Sequence, residues 1–415
     1  IALLEEPLLA VVVAMLTRYS GDDGYTLYDN KNLLSYIFMA IIVAIFMGMN
    51  ISAEEIFKDR ALLKRESFLQ LSYASYICSK VVTMAGIALV QTLLFLLVGN
   101  TLMGIGCLFF EWWAVLFVSA FLAGMTGLLL SQRLRSLVAI YISIPLLLIP
   151  QILLCGVVVP FDDLNRHSTT RNVPWIGELI PSRWAFEAIA VTMFTDNDYS
   201  CQFFNNEQRQ YELMMARVGY IKKMREVAEQ EHLARLRHDE AFGADLAMLR
   251  REVSLLAERW QLAPFDKVER LTTEGYDDST HTALTDWLAK ADQALYNRSY
   301  GYTRAIDRDK QRYMDEHGAK ALVDLKYANL NRQLEQTLLG TAAEKMVSVE
   351  RGVIVPQVGT VYLDPPQHNG RAPFYSSVKL VGDWRISTMT FNLLVLWLMS
   401  VAAMVALLNG KKKGT

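Results

Sequence analysis

Nucleophiles, metal ligands and paired carboxylates are the residues through which a chain does covalent chemistry, and in these 415 residues they lie scattered. His232, His238, His281, His317 and His368 stand apart, with no His-Glu-x-x-His run and no carboxylate spaced to join them as metal ligands. Cys78, Cys107, Cys155 and Cys201 lack metal spacing as well. They read as free, partly buried thiols, with a disulfide among Cys107, Cys155 and Cys201 as the alternative. Gly21-Asp-Asp-Gly and Gly104-Ile-Gly lack the lysine and the strand-loop-helix setting of a phosphate-binding loop. No catalytic residue and no metal is therefore expected in this chain. The densest mixed charge is Glu54, Glu55, Lys58, Asp59, Arg60, Lys64, Arg65 and Glu66, with Ile56, Leu63 and Phe68 along one helical side. An amphipathic helix of that kind suits docking against another protein and lying under lipid headgroups equally well.

The elements around that helix are apolar. Of the 41 Lys/Arg and 43 Asp/Glu, 26 and 27 fall between Tyr199 and Arg385, which leaves only 31 charges for the other 228 residues. The net charge of -2 excludes a basic nucleic-acid binder, and four cysteines exclude a disulfide-dense scaffold. A bilayer crossing needs roughly 20 mostly apolar residues as helix. Five segments meet it: Leu33 to Ile51, Ile77 to Val98, Trp112 to Leu130, Leu137 to Val159 and Met389 to Leu408. Ile1 to Thr17 is a sixth, short candidate carrying Glu5 and Glu6. Lysine and arginine set the orientation: Lys58, Arg60, Lys64, Arg65, Arg133, Arg135, Lys411, Lys412 and Lys413 all fall on one side of such an arrangement. The expectation is an all-α membrane protein. Loops 52–75 and 131–136 and the C-terminus are then cytoplasmic, residues 160–386 extracytoplasmic, and the location is a plasma, bacterial inner, membrane.

Ionisable groups inside spans mark coupled carriers, and this chain has almost none. Lys80 lies near a span end, where it can snorkel to the interface. Asn50, Gln91, Pro145, Pro150, Gln151 and Asn392 are the candidates for a translocation path, although helix packing explains Gln91 and Asn392 better. Pro145 and Pro150 predict either a merely bent span or a hinge.

The run Glu-Ile-x-Lys-Asp-Arg-x-x-Leu-Lys-Arg-Glu from Glu55, with the Ser-Tyr-x-x-Ser segment that follows, resembles the coupling helix and third-span start of G-type ATP-binding-cassette exporters. Ile180-Pro-Ser-Arg-Trp-Ala-Phe-Glu-Ala is similar to the segment after their fifth span. The resemblance covers approximately residues 1–194 and 374–408, and is closest to bacterial members with a long extracytoplasmic insertion. It implies that Glu54 to Glu66 touch a nucleotide-binding domain. It also implies that Arg183, Trp184, Phe186 and Glu187 belong to outer re-entrant helices, and that the second and fifth spans line the path. Mg-ATP would bind only in the associated nucleotide-binding domain, fused upstream or separate, because this chain has no ATPase motif. A sequence that starts at Ile1 without Met fits a fragment lacking that domain. A second copy of the membrane domain is the other expected partner.

From about residue 205 the pattern changes to narrow helical stripes: Tyr211, Met214, Val218, Ile221; Phe242, Leu246, Leu249, Val253, Leu256, Trp260; Leu284, Leu288, Ala291, Leu295; and Val323, Tyr327, Leu330, Leu334. These predict antiparallel helical hairpins broken at Ala263-Pro264, Gly275 and Gly318, with a short strand between Val353 and Leu363. The domains expected are 1–159, 160–198, 199–386 and 387–410. Residues 205–346 would grip a substrate or envelope partner, or gate an exit. The function implied is ATP-driven export of a lipidic or amphipathic substrate by alternating access. Mechanotransmission to an envelope partner and a membrane-anchored scaffold or adhesion protein are the alternatives.

Overall fold

The computed structural model describes residues 2–19, 24–66, 72–161, 173–341, 343, 345–350 and 352–410, the side chains of residues 2, 3 and 61–66 excepted. The membrane half contains α1 (Ala2–Thr17), α2 (Leu33–Ser52), α3 (Glu55–Glu66), α4 (Tyr73–Met103), α5 (Phe109–Arg133) and α6 (Leu137–Leu153). A short turn of helix, α7 (Trp175–Glu178), then leads to α8 (Pro181–Thr195). The helices start and stop at local signals. The Ser72 hydroxyl accepts from the Ser75 N–H to cap α4, and Gly104 ends it at φ 66°. Pro181 occupies the first turn of α8, where a missing N–H costs no helical bond.

Among the described residues, four helices are long and apolar enough to cross a membrane: α2 run together with α3 to Arg60, α4, α5 and Thr388–Asn409. α1 and α6, with 16 and 17 residues, are shorter. α6 runs through both of its prolines but stops at Leu153 rather than continuing to Val159. The Leu154 N–H closes on the Pro150 carbonyl at 2.9 Å, and Gly156 then takes a left-handed φ of 83°. Leu4, Leu8, Val82, Leu97, Val138, Leu146, Leu398 and Val405 are among the large apolar side chains left exposed, the surface lipid or another apolar partner would cover.

α5 is the hub, packed against α2, α4, α8 and the last helix. It meets α2 closely because Gly48 and Gly127 carry no side chain. A Cβ at Gly48 would overlap the Ala120 carbonyl, and one at Gly127 would overlap Ser52 and the Met49 carbonyl.

The remaining chain forms α9 (Ser200–Met214), a π-helical segment (Met215–Ile221), α10 (Lys222–Leu236), α11 (Leu246–Arg259), α12 (Asp278–His317), α13 (Ala319–Asn329) and α14 (Arg332–Leu339). Strands β1 (Val347–Glu350) and β2 (Val353–Pro356) pair antiparallel, as do β3 (Val378–Val381) and β4 (Trp384–Ser387) before α15 (Thr388–Asn409). The all-α expectation therefore needs two small hairpins added. The predicted strand from Val353 ends at Pro356 and is followed by a 3-10 turn at Thr360–Tyr362.

Leu246, Leu249, Val253, Leu256, Leu284, Leu288, Ala291 and Leu295 join one buried cluster, as the second and third stripes predict. The first stripe fails at Val218, which is 42% exposed. Helical spacing from buried Glu212 already sets Met215, Ala216 and Gly219 on the inner face and Val218 off it, and the wider turns of the π-helical segment then bring Ile221, Met224, Val227 and Ala228 inward. The fourth stripe is divided: Val323 and Tyr327 are exposed, whereas Leu330 and Leu334 are buried beyond a helix break. Asn331 causes that break. Its Oδ1 accepts from the Leu334 N–H while its Nδ2 donates to the Leu27 and Asn30 carbonyls, both at 2.7 Å.

Candidate functional site

Among its described side chains, Glu55, Asp59 and Arg60 fasten the charged helix α3 inward. Arg60 Nη2 donates to the carbonyls of Ser131, Gln132 and Leu134 at 2.7, 3.0 and 2.5 Å, which satisfies the unpaired C-terminal carbonyls of α5 with a cation at its negative end. The Ser131 hydroxyl accepts from the Phe57 N–H at 2.8 Å. Lys80, from α4, reaches Glu55 at 2.6 Å and Asp59 at 2.9 Å, and the Tyr76 hydroxyl donates to Asp59 at 2.8 Å. Lys80 is thus an anchor for α3 and does not simply snorkel. Ile56 is buried, as the amphipathic pattern predicts. Glu54 pairs with Lys58, whose side chain is 62% exposed. The side chains of Lys64, Arg65 and Glu66, and also Leu63 and Phe68, lie outside the described residues. α3 therefore connects the ends of two different long helices while leaving Lys58 facing outward.

A second constellation surrounds α8, in which every residue from Ser182 to Thr195 is buried. Arg183 and Glu187 share one helical face, four residues apart. Lys379 of β3 donates to Glu187 Oε1 at 2.6 Å, and Asn392 of α15 donates to Oε2 at 2.9 Å and to the Trp184 carbonyl at 3.0 Å. Arg183 Nη2 lies 3.5 Å from Glu187, Nη1 lies 3.2 Å from Glu178, and the guanidinium sits 3.9 Å over the Trp184 ring. Burial by itself would raise the Glu187 acid; Arg183 and Lys379 overcome that and hold it below the usual carboxylate range. Trp184 Nε1 donates to the Glu178 carbonyl at 2.8 Å, and Phe186 meets Tyr375 edge-on. The network locks α8, the β3–β4 hairpin and α15 into one body. Beside it lies a polar cavity of about 440 Å³, with Thr192, Asp196, Gln208, Arg209 and Arg385 among its walls.

Of the candidate path residues, Asn392 and Gln151 both hold α8. Asn392 is tied to Glu187, and Gln151 holds the opposite side of α8, its side chain accepting from the Ser182 N–H at 3.0 Å and its carbonyl from the Ser182 hydroxyl at 2.7 Å. Gln91 is buried in α4, Asn50 and Pro150 are half-buried, and Pro145 is exposed. The bonds of Asn392 to the Trp184 carbonyl and to Glu187 join α15 to α8. Sequence reasoning missed Lys379, whose only signal is a lone lysine in the apolar run Val378-Lys379-Leu380-Val381 ahead of the last helix. It missed the Arg60 cap as well, because the carbonyls it serves lie about seventy residues away. The four cysteines are separate thiols, and no metal-ligand group occurs among the described residues.

Comparison with curated proteins and with solved structures returns no match. A family model described as ABC-2 type transporter matches residues 7–194, a segment that begins in α1, contains α3 and ends within α8. Mostly helical architecture, long apolar helices and a charged helix anchored at their ends accord with that match and are consistent with the G-type transmembrane domain. Residues 7–194 of this chain are an ABC-2 type transporter membrane domain.

Proposed function

We propose that the chain is the membrane-spanning half of an ATP-driven exporter. α1, α2, α4, α5, α6 and α15 serve as six spans, with α3 on the cytoplasmic side and α9 to α14 outside. The single observation that carries this reading is α3: it lies inside the segment matching an ABC-2 membrane domain, and Arg60 and Lys80 bind it to α5 and α4. A push on α3 from a nucleotide-binding domain would reach both spans through short charged bonds. Two copies enclose the path, and the exposed apolar side of α6, with Val138, Ile142, Leu146 and Ile149, suits the second copy. So apolar a lining favours a lipidic or amphipathic substrate.

The test is a Lys64→Glu/Arg65→Glu variant of the full-length protein with its ATPase, assayed for substrate-stimulated Mg-ATP hydrolysis. Loss of stimulation with assembly intact is expected; an unchanged rate removes the coupling assignment.

One observation favours a second reading, mechanotransmission. α12 has 40 residues, about 60 Å of helix, and joins a hydrophobic cluster of its own with α10 and α11. A photo-crosslinker at exposed Tyr300 separates the two readings: capture of an envelope protein that depends on ATP turnover supports force transmission, and its absence together with substrate export supports the transporter.

A further inference from the structure

A pocket of about 310 Å³ opens between the π-helical segment, α11 and β2. Its walls include Met215, Leu256, Trp260, Ile354, Leu363 and Pro366, so it is mainly apolar and of the size small-molecule sites begin at. Glu212 forms part of the same wall although only 2% of it is exposed. Its Oε2 accepts from Arg209 Nη1 at 2.9 Å. Among the described residues none donates a hydrogen bond to Oε1, and Arg259 Nη2 stands 3.7 Å from it, beyond hydrogen-bond distance. An acceptor buried without a donor is costly unless something supplies the bond. Burial and the nearby Asp364 carboxylate push the Glu212 acid above the usual carboxylate range, as such a shortage of donors should.

Part of the wall comes from the π-helical segment, in which Met215, Ala216, Gly219 and Ile221 are all buried. Single π turns inside helices are frequent at functional sites. Cavity, unpartnered acceptor and π turn coincide at one place that contributes no residue to α3 or to the Arg183–Glu187–Lys379 network.

We infer that this pocket binds a small apolar molecule carrying one hydrogen-bond donor, a hydroxyl or amine, with the donor on Glu212 Oε1 and the apolar body against Met215, Leu256 and Ile354. The site stands on this geometry alone and is independent of the transport reading.

The test is equilibrium titration of the full chain in lipid nanodiscs, without detergent, against 1-aminoanthracene and against anthracene, which lacks the donor. Energy transfer from Trp260, absent in Trp260→Phe, reports occupancy, and empty nanodiscs give the lipid background. Saturable binding of 1-aminoanthracene is expected, with anthracene weaker by about tenfold for the lost hydrogen bond. Glu212→Leu should abolish that preference while the apolar contacts remain. Filling the pocket with Ala216→Trp, or with Val355→Trp at the half-buried strand wall, should abolish saturable binding, with circular dichroism checking the fold of each. Absence of saturable binding to the native chain, an unchanged preference in Glu212→Leu, or undiminished binding in both folded filled variants would overturn the proposal.

Discussion

Glu187 is a carboxylate held between two cations, Arg183 and Lys379, in a region closed to water. Removing one member of a buried ionic group leaves the others uncompensated, which costs about 3–5 kcal/mol. Glu187→Gln should therefore lower the thermal unfolding midpoint sharply, and Lys379→Met added to it should recover part of the loss, because the stranded ammonium is gone. Strict additivity in that double-mutant cycle would mean the contact carries no coupling. A second residue-scale prediction concerns pH. His281 stacks on His232 at 4.1 Å, bonds the Tyr276 hydroxyl at 3.0 Å, and also faces Glu229, Asp278 and Arg235. Burial, then the charge of His232, hold its pKa below the ordinary 6.5. The unfolded chain thus binds its proton more readily than the folded one. Stability from this group is complete above pH 6.5 and is lost as the pH falls through the lower folded value. Unfolding of the native protein, followed between pH 7 and 5, should show that loss; His281→Gln should flatten it.

At the scale of elements, α3 matters through what holds it. Arg60→Ala removes a charged donor from three carbonyls and should cost about 1.5–3 kcal/mol, since hydrogen bonds to charged groups are worth that much. If α3 transmits force, the same variant should lose stimulated ATP hydrolysis more completely than it loses stability, measured as a ratio of coupled to basal rate. The α2–α5 contact gives a packing prediction. Gly48→Leu drives a side chain into the Ala120 backbone and should abolish folded yield, whereas Gly86→Leu, on an open part of α4, should leave it unchanged in fluorescence size-exclusion profiles. Which elements could be read from the sequence follows from how local their causes are. α2 and α15 were legible because each carries about twenty residues without a charge. The charged faces of α3 were legible, but not their partners, because Lys80, Ser131 and Leu134 sit on other helices. The π-helical segment was illegible: nothing in Met-Ala-Arg-Val-Gly-Tyr-Ile departs from an ordinary helical run.

For the whole molecule, contacts distant in sequence sort into two ends. At one, Asn331 and Arg332 bind the loop before α2, and the Tyr25 hydroxyl donates to the Met103 carbonyl at the end of α4. At the other, Arg60 binds the end of α5, and Gln132 Nε2 donates to the Leu407 carbonyl near the end of α15 at 2.9 Å. The contacts of the long insertion and those of α3 thus lie at opposite ends of α2. What the sequence could not supply is the joint between insertion and membrane part. Besides apolar packing by Leu334, Leu338, Val361 and Tyr362, it uses single polar residues such as Lys379 and Asn331, whose neighbours in the chain give no hint of their partners. The central claim, that an ATPase drives this membrane domain, is tested most directly by isolating the natural full-length protein from its own membranes and measuring Mg-ATP hydrolysis with and without vanadate. Vanadate-sensitive turnover from a fused or co-purifying nucleotide-binding domain is expected; a preparation with neither ATP hydrolysis nor such a domain would overturn the proposal.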